Sequence, residues 1–559
     1  MEQDGRLTNC LRNRAAAFLA IIFGLIFSIG IGSIHLFDLD ELYFAEITRE
    51  MMLTRNYGQI TFNFEQLYEK PPLFFWIQAA SMHLWGINEI GARFPNVVCG
   101  LLTIITLYYI GKAYKGKWFG LLWMCLHATA FLPHFYFKSG IIDPFLNYFL
   151  LLAIYFLSRA ATENTSHTSL YYAASAGLCI GLALLAKGPI GAIIPFAALA
   201  LSSTWVMGRI IILKQLILTV LVAALIVSCW LIPVIWYNDC IFIQKFIQKF
   251  WEYHWLLYHQ PVDTHNQPWY YHYLVLFFGC FPSSLFTIAF CKQQGWMKEH
   301  YFAANMQAVL IIVLLIFTWV GTKIVHYSSM AYFPITFFAA DFLYRLISSK
   351  ENIKTNRWIA FLFIIVGMVI GSCLAIIPWI MLHKELCIPF ITNPQIMAAL
   401  HIPVRWNHWD SLPGIMYIIG VGIAFYYLSQ HRMASFICIS IFINMLTLTL
   451  FLSRIAPKIE SYTQKAVVDF CKKCKEQDVY LTTIGFKAAA PLFYTNKTAE
   501  KSIKEKNVAW ILTGPIDKPC FFIVYKNDAV LLENYKDIHC IKEAGCFSFY
   551  ERLPKTVVK

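Results

Sequence analysis

Apolar runs long enough to cross a bilayer recur along most of this chain, and nothing else restricts its fold as much. Hydrocarbon offers no water to unpaired backbone groups, so such runs must be helices or strands of a closed barrel. Runs close to the ~20 residues that a helical span needs are helices. They fall at about Ala15–His35, Ile90–Gly111, Trp118–Phe135, Ile142–Ser158, Leu170–Ala186, Pro189–Val206 and Leu213–Trp236. Others follow at Tyr270–Phe290, Asn305–Val320, Ile324–Leu346, Arg357–Leu382, Pro413–Leu428 and Ala434–Leu450. The pattern predicts an all-α polytopic membrane protein with about 13 transmembrane helices. Only 14% of its residues are charged, against about a quarter in soluble domains. The first run serves as span and insertion signal together, and no cleavable leader is expected.

Charge placement orients the spans. Arg6, Arg12 and Arg14 precede the first run, which puts the N-terminus in the cytoplasm. Alternation then gives the inside loops Lys112, Lys115, Lys117, Arg159, Arg209, Lys214, Lys292, Lys298, Arg345, Lys350, Lys354, Arg357 and Arg432. These account for most of the net charge of +13, so no nucleic-acid partner is expected. An odd number of spans sends the C-terminal segment outside. The outside set differs in kind. It holds Asp40, Glu69, Lys70, Lys138, Asp143 and Lys187, then Lys323, His326 and Tyr327, with polar loops at Asn238–Pro268 and Lys384–Asp410. Charges at span ends on one membrane face point to a shared site there.

Residues 38–93, between the first two spans, are too polar to cross and long for a connector. They read DLDELYFAEITREMM and then LYEKPPLFFWIQAASMHLWGINEIGAR. The first part has apolar residues at helical spacing, so an amphipathic helix lying flat on the outer interface is expected. Pro71-Pro72 then opens a second short helix. Each charged residue here has an ordinary role open to it. Asp40 can cap the helix, while Lys70, Lys187 and Lys323 can snorkel. Glu69 can be a salt-bridge partner. Taken together, Asp40 and Asp143 near several lysines suit acid–base work and a cation clamp for developing negative charge. KFWEYHWLLYHQPVDTH adds Glu252, His254, His259 and His265, but no two of these His stand four apart as in a helical zinc motif.

After Arg454 the composition turns to Lys and Glu. Short β-like runs (DVYLTTIG, VAWILTG, CFFIVYK, CFSFYERL) and one helix at Ile459–Lys475 predict a small α/β domain over 454–559. The membrane domain is then 1–453, with residues 38–93 as its site-bearing loop. Sixteen Cys are scattered, and Cys471-x-x-Cys474 has no second pair at zinc-ribbon spacing. No nucleotide loop, dinucleotide fingerprint or nucleophile elbow occurs. A transporter would place charges or broken repeats near the midplane, and neither is found.

In order and at similar separations, DLDELYFAEITREMM, YEKPPLFFWIQA, WGINEIGARFPN, SGIIDPFLNYFLL, LLAKGPIGA and GTKIVHYSSMAYFP resemble the lipid A aminoarabinose transferases. These sit within the protein O-mannosyltransferase-like superfamily, which has the GT-C membrane fold. The resemblance implies an inner-membrane enzyme that transfers a sugar from a polyprenyl-phosphate donor to a periplasmic acceptor such as lipid A. A protein hydroxyl or another envelope glycan stays open as the acceptor. By resemblance Asp40 and Asp143 are the catalytic acidic residues. Lys70, Tyr327, Lys187 and Lys323 serve the donor phosphate, and Glu69 and His254 would hold a divalent metal (Zn, or Mg/Mn). The family usually reads Asp-Glu-x-Arg-Tyr-Ala-Glu, where this chain has Tyr43 and Phe44 for Arg and Tyr. The family's phosphate arginine has no counterpart here.

Overall fold

The computed structural model describes residues 2–37, 39–163, 165–206, 213–261, 265–294, 300–348 and 357–554. Asp38, Arg209, Lys298, Lys350 and Lys354, named above, lie outside them. The first half of the chain is helical: α1 (Glu2–Ser28), α2 (Asp40–Thr54), α3 (Leu73–Trp85), α4 (Glu89–Lys115), α5 (Lys117–Thr129) and α6 (Phe131–Tyr136). Then come α7 (Asp143–Thr162), α8 (Ser166–Lys187), α9 (Ile190–Ser203) and α10 (Leu213–His259). The protein is a multi-span membrane protein. Among the described residues nine helices are long and apolar enough to cross a membrane. The pair Tyr271–Gly279 and Ser283–Lys292, bent by 111°, makes ten if counted as one span. The other expected spans are short or broken. The first run stops being helical at Ser28, before Gly30 and Gly32, and another breaks at Ala130 between α5 and α6. The run at Pro189–Val206 yields only the 14 residues of α9.

Small residues let the spans approach, as they do in bilayers, where packing rather than water drives association. A Cβ on Gly177 would stand 2.5 Å from the Thr219 carbonyl of α10, and one on Gly181 2.7 Å from Ile226. Gly188, at φ +80°, ends α8 against the Phe250 ring, 2.4 Å from where a Cβ would lie. Bulk or backbone strain there would push Lys187 away from α10.

Two expectations fail here. The polar loop expected from Asn238 is helix as far as His259, because α10 runs on past its span for 47 residues in all, about 70 Å. Pro233 lies within it without ending it, and beyond it Phe242, Phe246, Phe250 and His254 recur every four residues and stack ring on ring. The α2 helix, expected to lie flat on the interface, is buried on most of its circumference, Glu41, Glu46, Arg49 and Glu50 included. The C-terminal region roofs it. Arg49 donates to the Lys497 carbonyl at 2.9 Å, Ser502 bonds Asn63 at 2.5 Å, and the Tyr494 hydroxyl accepts from the Leu36 N–H at 2.9 Å.

Away from the membrane helices, a two-stranded ribbon, β1 (Thr61–Phe62) and β2 (Glu65–Gln66), follows α2. The C-terminal region carries a four-stranded sheet of β3 (Tyr480–Ile484), β4 (Cys520–Tyr525), β5 (Ile538–Ala544) and β6 (Phe547–Arg552). Its order is β3-β4-β6-β5, with only β3 and β4 parallel. The run VAWILTG, expected as strand, is instead helix at Val508–Thr513, started by the Asn507 side chain accepting from the Trp510 N–H. The expected helix Ile459–Lys475 is divided at Thr463. One face of the sheet, through Ile523 and Phe549, shares a core with Leu36, Leu42, Ala45 and Met82 of the membrane half.

Candidate active site

Six separate segments meet at one end of the helix bundle. The start of α2 supplies Asp40, and the loop before α3 supplies Glu69 and Lys70. The first residue of α7 is Asp143 and the last of α8 is Lys187. The C-terminal part of α10 brings Tyr253 and His254. A short 3₁₀ helix, Val325–Ala331, brings His326 and Tyr327.

Asp143 is buried and paired: Lys187 Nζ stands 2.7 Å from its Oδ1. The same ammonium lies 5.1 Å over the Tyr327 ring, a cation–π contact. Asp40 is different. Its side chain is 40% exposed, and among the described residues its one contact at ion-pair distance is with His326, Nε2 standing 3.3 Å from Oδ2. The same Nε2 stands 3.7 Å from Asp143 Oδ2. So one carboxylate is neutralised within the protein and the other is left available, the division of labour that acid–base chemistry requires. Asp40 does not cap its helix. The cap position is Leu39, at φ 107° and ψ −135°, and no side chain bonds there. That region is essentially reserved for glycine and costs about 1–3 kcal/mol. The strain fixes where the chain enters α2 immediately before the available carboxylate.

Lys70 makes no ion pair among the described residues; its Nζ lies 5.3 Å over the Tyr253 ring. Burial lowers the ammonium's pKa and Lys187 lowers it further, while Asp40, Glu69 and Asp143 pull it back. A cation held without a fixed counter-ion among carboxylates and another lysine is a natural seat for an anion. Burial raises the Glu69 carboxyl, offset by the charges of Lys70 and of Lys487 in the C-terminal region. Burial also raises the Tyr43 phenol, helped by Glu69, so this position presents a hydroxyl where the resembling family carries a cation. Lys323 does not join the group: its ammonium donates to the Val320 carbonyl at 2.7 Å.

Among the described residues no group of three His, Cys, Asp or Glu side chains is arranged around a metal position. The donors expected there are nevertheless suitable in kind. His254 stacks on Phe250, and its Nδ1 faces the Phe250 carbonyl at 2.8 Å. That hydrogen bond keeps the proton on Nδ1 and the Nε2 lone pair open, as a ligating imidazole needs. Burial moves this His down to about 4, against the Phe250 hydrogen bond and with help from Lys70 and Lys187. It is neutral at neutral pH. Two donors do not complete a site.

Three features escape sequence reasoning. His326 stands among the outer residues there but receives no role, because its partners are 286 and 183 positions away. Tyr253 is one of many interfacial aromatics. Glu41 and Arg93 receive no role from the sequence, yet they form a buried pair with Nε–Oε1 at 2.7 Å. Glu41 Oε1 also accepts from the Gly140 N–H at 2.6 Å, three residues before Asp143. This pair ties the segment bearing Asp40 to the segment bearing Asp143.

Residues 69–236 match the family model described as dolichyl-phosphate-mannose-protein mannosyltransferase. The chain is 24% identical over 382 residues to the undecaprenyl phosphate-alpha-4-amino-4-deoxy-L-arabinose arabinosyl transferase of Enterobacter sp. strain 638, covering 66% of each. It is 22% identical over 386 residues to that of Erwinia tasmaniensis, covering 67% of each. The matched stretch thus spans about two thirds of the length of these relatives. The crystal structure of ArnT from Cupriavidus metallidurans bound to undecaprenyl phosphate superposes with a TM-score of 0.73 at 15% identity, covering 96% of this chain and 97% of that one. Its apo form gives 0.72, with 96% and 98% covered. The chain therefore has the GT-C fold of that transferase, C-terminal region included.

Proposed function

We propose that this chain is an integral-membrane glycosyltransferase of the aminoarabinose-transferase type, moving a sugar from a polyprenyl-phosphate donor to an acceptor at the periplasmic face of a bacterial inner membrane. The observation that carries this reading is the convergence of Asp40, Asp143, Lys187, His326 and the unpaired Lys70 at one end of the bundle. A polyprenyl phosphate leaves with the electron pair of the sugar C–O bond, and its growing charge needs preorganised cations. Among the described residues Lys70 makes no ion pair, only a cation–π contact with Tyr253. Lys187 adds its charge from a fixed pair with Asp143, and Tyr327 can donate a hydrogen bond from beneath it. Asp40 orients the acceptor and takes its proton where it has one. Aminoarabinose and lipid A are the sugar and acceptor this likeness suggests. Tyr43, where the transferases carry Arg, favours keeping another envelope glycan or a protein hydroxyl as the alternative acceptor. In this reading a divalent cation held by Glu69 and His254 would supply further positive charge beside the phosphate.

Donor titration in nanodiscs tests the phosphate seat. A charged hydrogen bond contributes about 1.5–3 kcal/mol, so Lys70→Ala is expected to weaken donor use about tenfold to a hundredfold, and Tyr327→Phe less. Repeating the titration with a chelator measures any metal contribution. A snorkelling Lys70 predicts no change in donor dependence for Lys70→Gln, and that result would move the phosphate elsewhere.

Orientation is tested separately. A Cys placed at Gln66, half-buried on β2, in a protein cleared of other accessible Cys should react with a membrane-impermeant thiol reagent in spheroplasts. Labelling only after lysis would put the site on the cytoplasmic face and remove the periplasmic reading.

A further inference from the structure

We infer that His326 is a positioning residue for the acceptor-side carboxylate: its Nε2–H holds Oδ2 of Asp40 and fixes the orientation in which Asp40 meets the acceptor. This rests on the reading of Asp40 given above and goes beyond it, because the charge cluster alone gives His326 no task.

Geometry decides which group His326 serves. A carboxylate only accepts hydrogen bonds, so the ring nitrogen that faces two of them carries the proton. Asp40 Oδ2, at 3.3 Å, is the nearer acceptor. Asp143 Oδ2 is farther, at 3.7 Å, and the other oxygen of Asp143 holds Lys187. Asp143 bears on the ring more strongly than Asp40 does, but it is anchored by Lys187, so the carboxylate left for the ring to orient is Asp40, the nearer of the two. Lys187 and Lys70 also bear on the ring, and His272 lies within its electrostatic reach.

The ring is built into the fold. It is 8% exposed and meets the Tyr136 ring edge-on at 6.3 Å and 89°, and the Tyr327 ring at 5.2 Å and 75°. The 3₁₀ helix that carries it is fastened on both sides. Ser329 accepts from Asn147 of α7 at 2.8 Å, and Ser328 bonds His272 Nδ1 at 3.0 Å. Asp40 is not held in this way. It is a first-turn side chain, partly open to solvent, and among the described residues its one contact at ion-pair distance is with His326. With Oδ2 fixed, Oδ1 is the atom left for the acceptor. Misorientation of a catalytic group acts on the chemical step and leaves donor binding alone.

The experiment uses full-length protein in nanodiscs, a polyprenyl-phosphate sugar as donor, and polyprenyl phosphate alone as binding probe. His326→Phe keeps a ring and removes the donor. It should lower kcat about tenfold to a hundredfold while probe affinity stays within about twofold. His326→Gln places an amide N–H near the Nε2 position and should recover most of the loss. If the Phe variant does not fold, His326→Met takes its place, with the same expectation. An unchanged kcat in the Phe or Met variant overturns the inference. So does a Gln variant as slow as Phe at equal melting temperature, since that assigns the effect to ring packing. The reading of the site fails on a different result, full activity of Asp40→Asn. An inactive Asp40→Asn beside a normal His326→Phe removes only the present inference.

Discussion

Asp40→Asn is expected to reduce transfer by about 10³-fold or more while expression and melting temperature stay at the parent's values. The size follows from removing a positioned acid–base group, worth about 10²–10⁴-fold, together with its charge near the reacting sugar. Asn keeps the shape and caps a helix about as well as Asp, so a capping role would leave activity intact. Asp40 does no capping here: Leu39 holds that position and the carboxylate turns to His326. Asn can still accept from that N–H through its carbonyl, and the local structure survives. It cannot hold a proton or face positive charge with an anion. Asp143→Asn makes the informative contrast. It strips the buried partner from Lys187, 2.7 Å away, so it should lose stability and activity together. Transfer assays on matched amounts of protein, with melting curves from the same preparations, separate the two. A fully active, normally folded Asp40→Asn protein would remove the catalytic assignment.

How far residues could be read from sequence depended on the range of the forces acting on them. The membrane helices were legible because hydrophobic length is a local property. Errors came where helix length no longer matched bilayer thickness, as at the break after Thr129 and in the extension of α10 to His259. The burial of α2 was not legible. An amphipathic pattern says that one face is covered, and Glu46, Arg49 and Glu50 occupied what reads as the wet face. Arg49 donates to the Lys497 carbonyl, more than 400 positions on, and Glu50 accepts from Thr61 and Phe64 of the ribbon. In the site, Asp40, Lys70, Asp143, Lys187 and Tyr327 could be named from motifs, and the structure brings them into one cluster. Lys323 shared their pattern but turns to its own backbone. His326 shows the limit most plainly, since a lone histidine at a span end carries no local sign of the two carboxylates beside it.

Arg93 is where a substitution far from the chemistry should do the most damage to the fold. Its guanidinium makes five hydrogen bonds: two to Glu41 at 2.7 Å, and others to the carbonyls of Ile31 at 2.7 Å, Ile34 at 2.6 Å and His35 at 2.9 Å. Those carbonyls lie just beyond the end of α1, where no helical partner remains for them. Glu41 in turn also takes the N–H groups of Phe37 and Gly140, at 2.9 and 2.6 Å. Both side chains are nearly inaccessible, 4% and 3% exposed. Removing one member of such a pair leaves a buried charge alone and costs about 3–5 kcal/mol. Arg93→Met should therefore lower the melting temperature sharply and reduce the yield of folded protein. Arg93→Lys should recover little, because an ammonium has three donors for five acceptors and none of the fork geometry. The double variant Glu41→Leu/Arg93→Met should be more stable than Arg93→Met alone, because no unpaired charge remains. It should still transfer poorly, because the tie between the Asp40 segment and Gly140, and through it Asp143, is gone. Melting of the variants in detergent, with transfer measured on the folded fraction, tests each step. If Arg93→Met melts with the parent, the pair does not hold the two catalytic segments together, and the register of Asp40 and Asp143 must come from the packing of α2 and α7 alone.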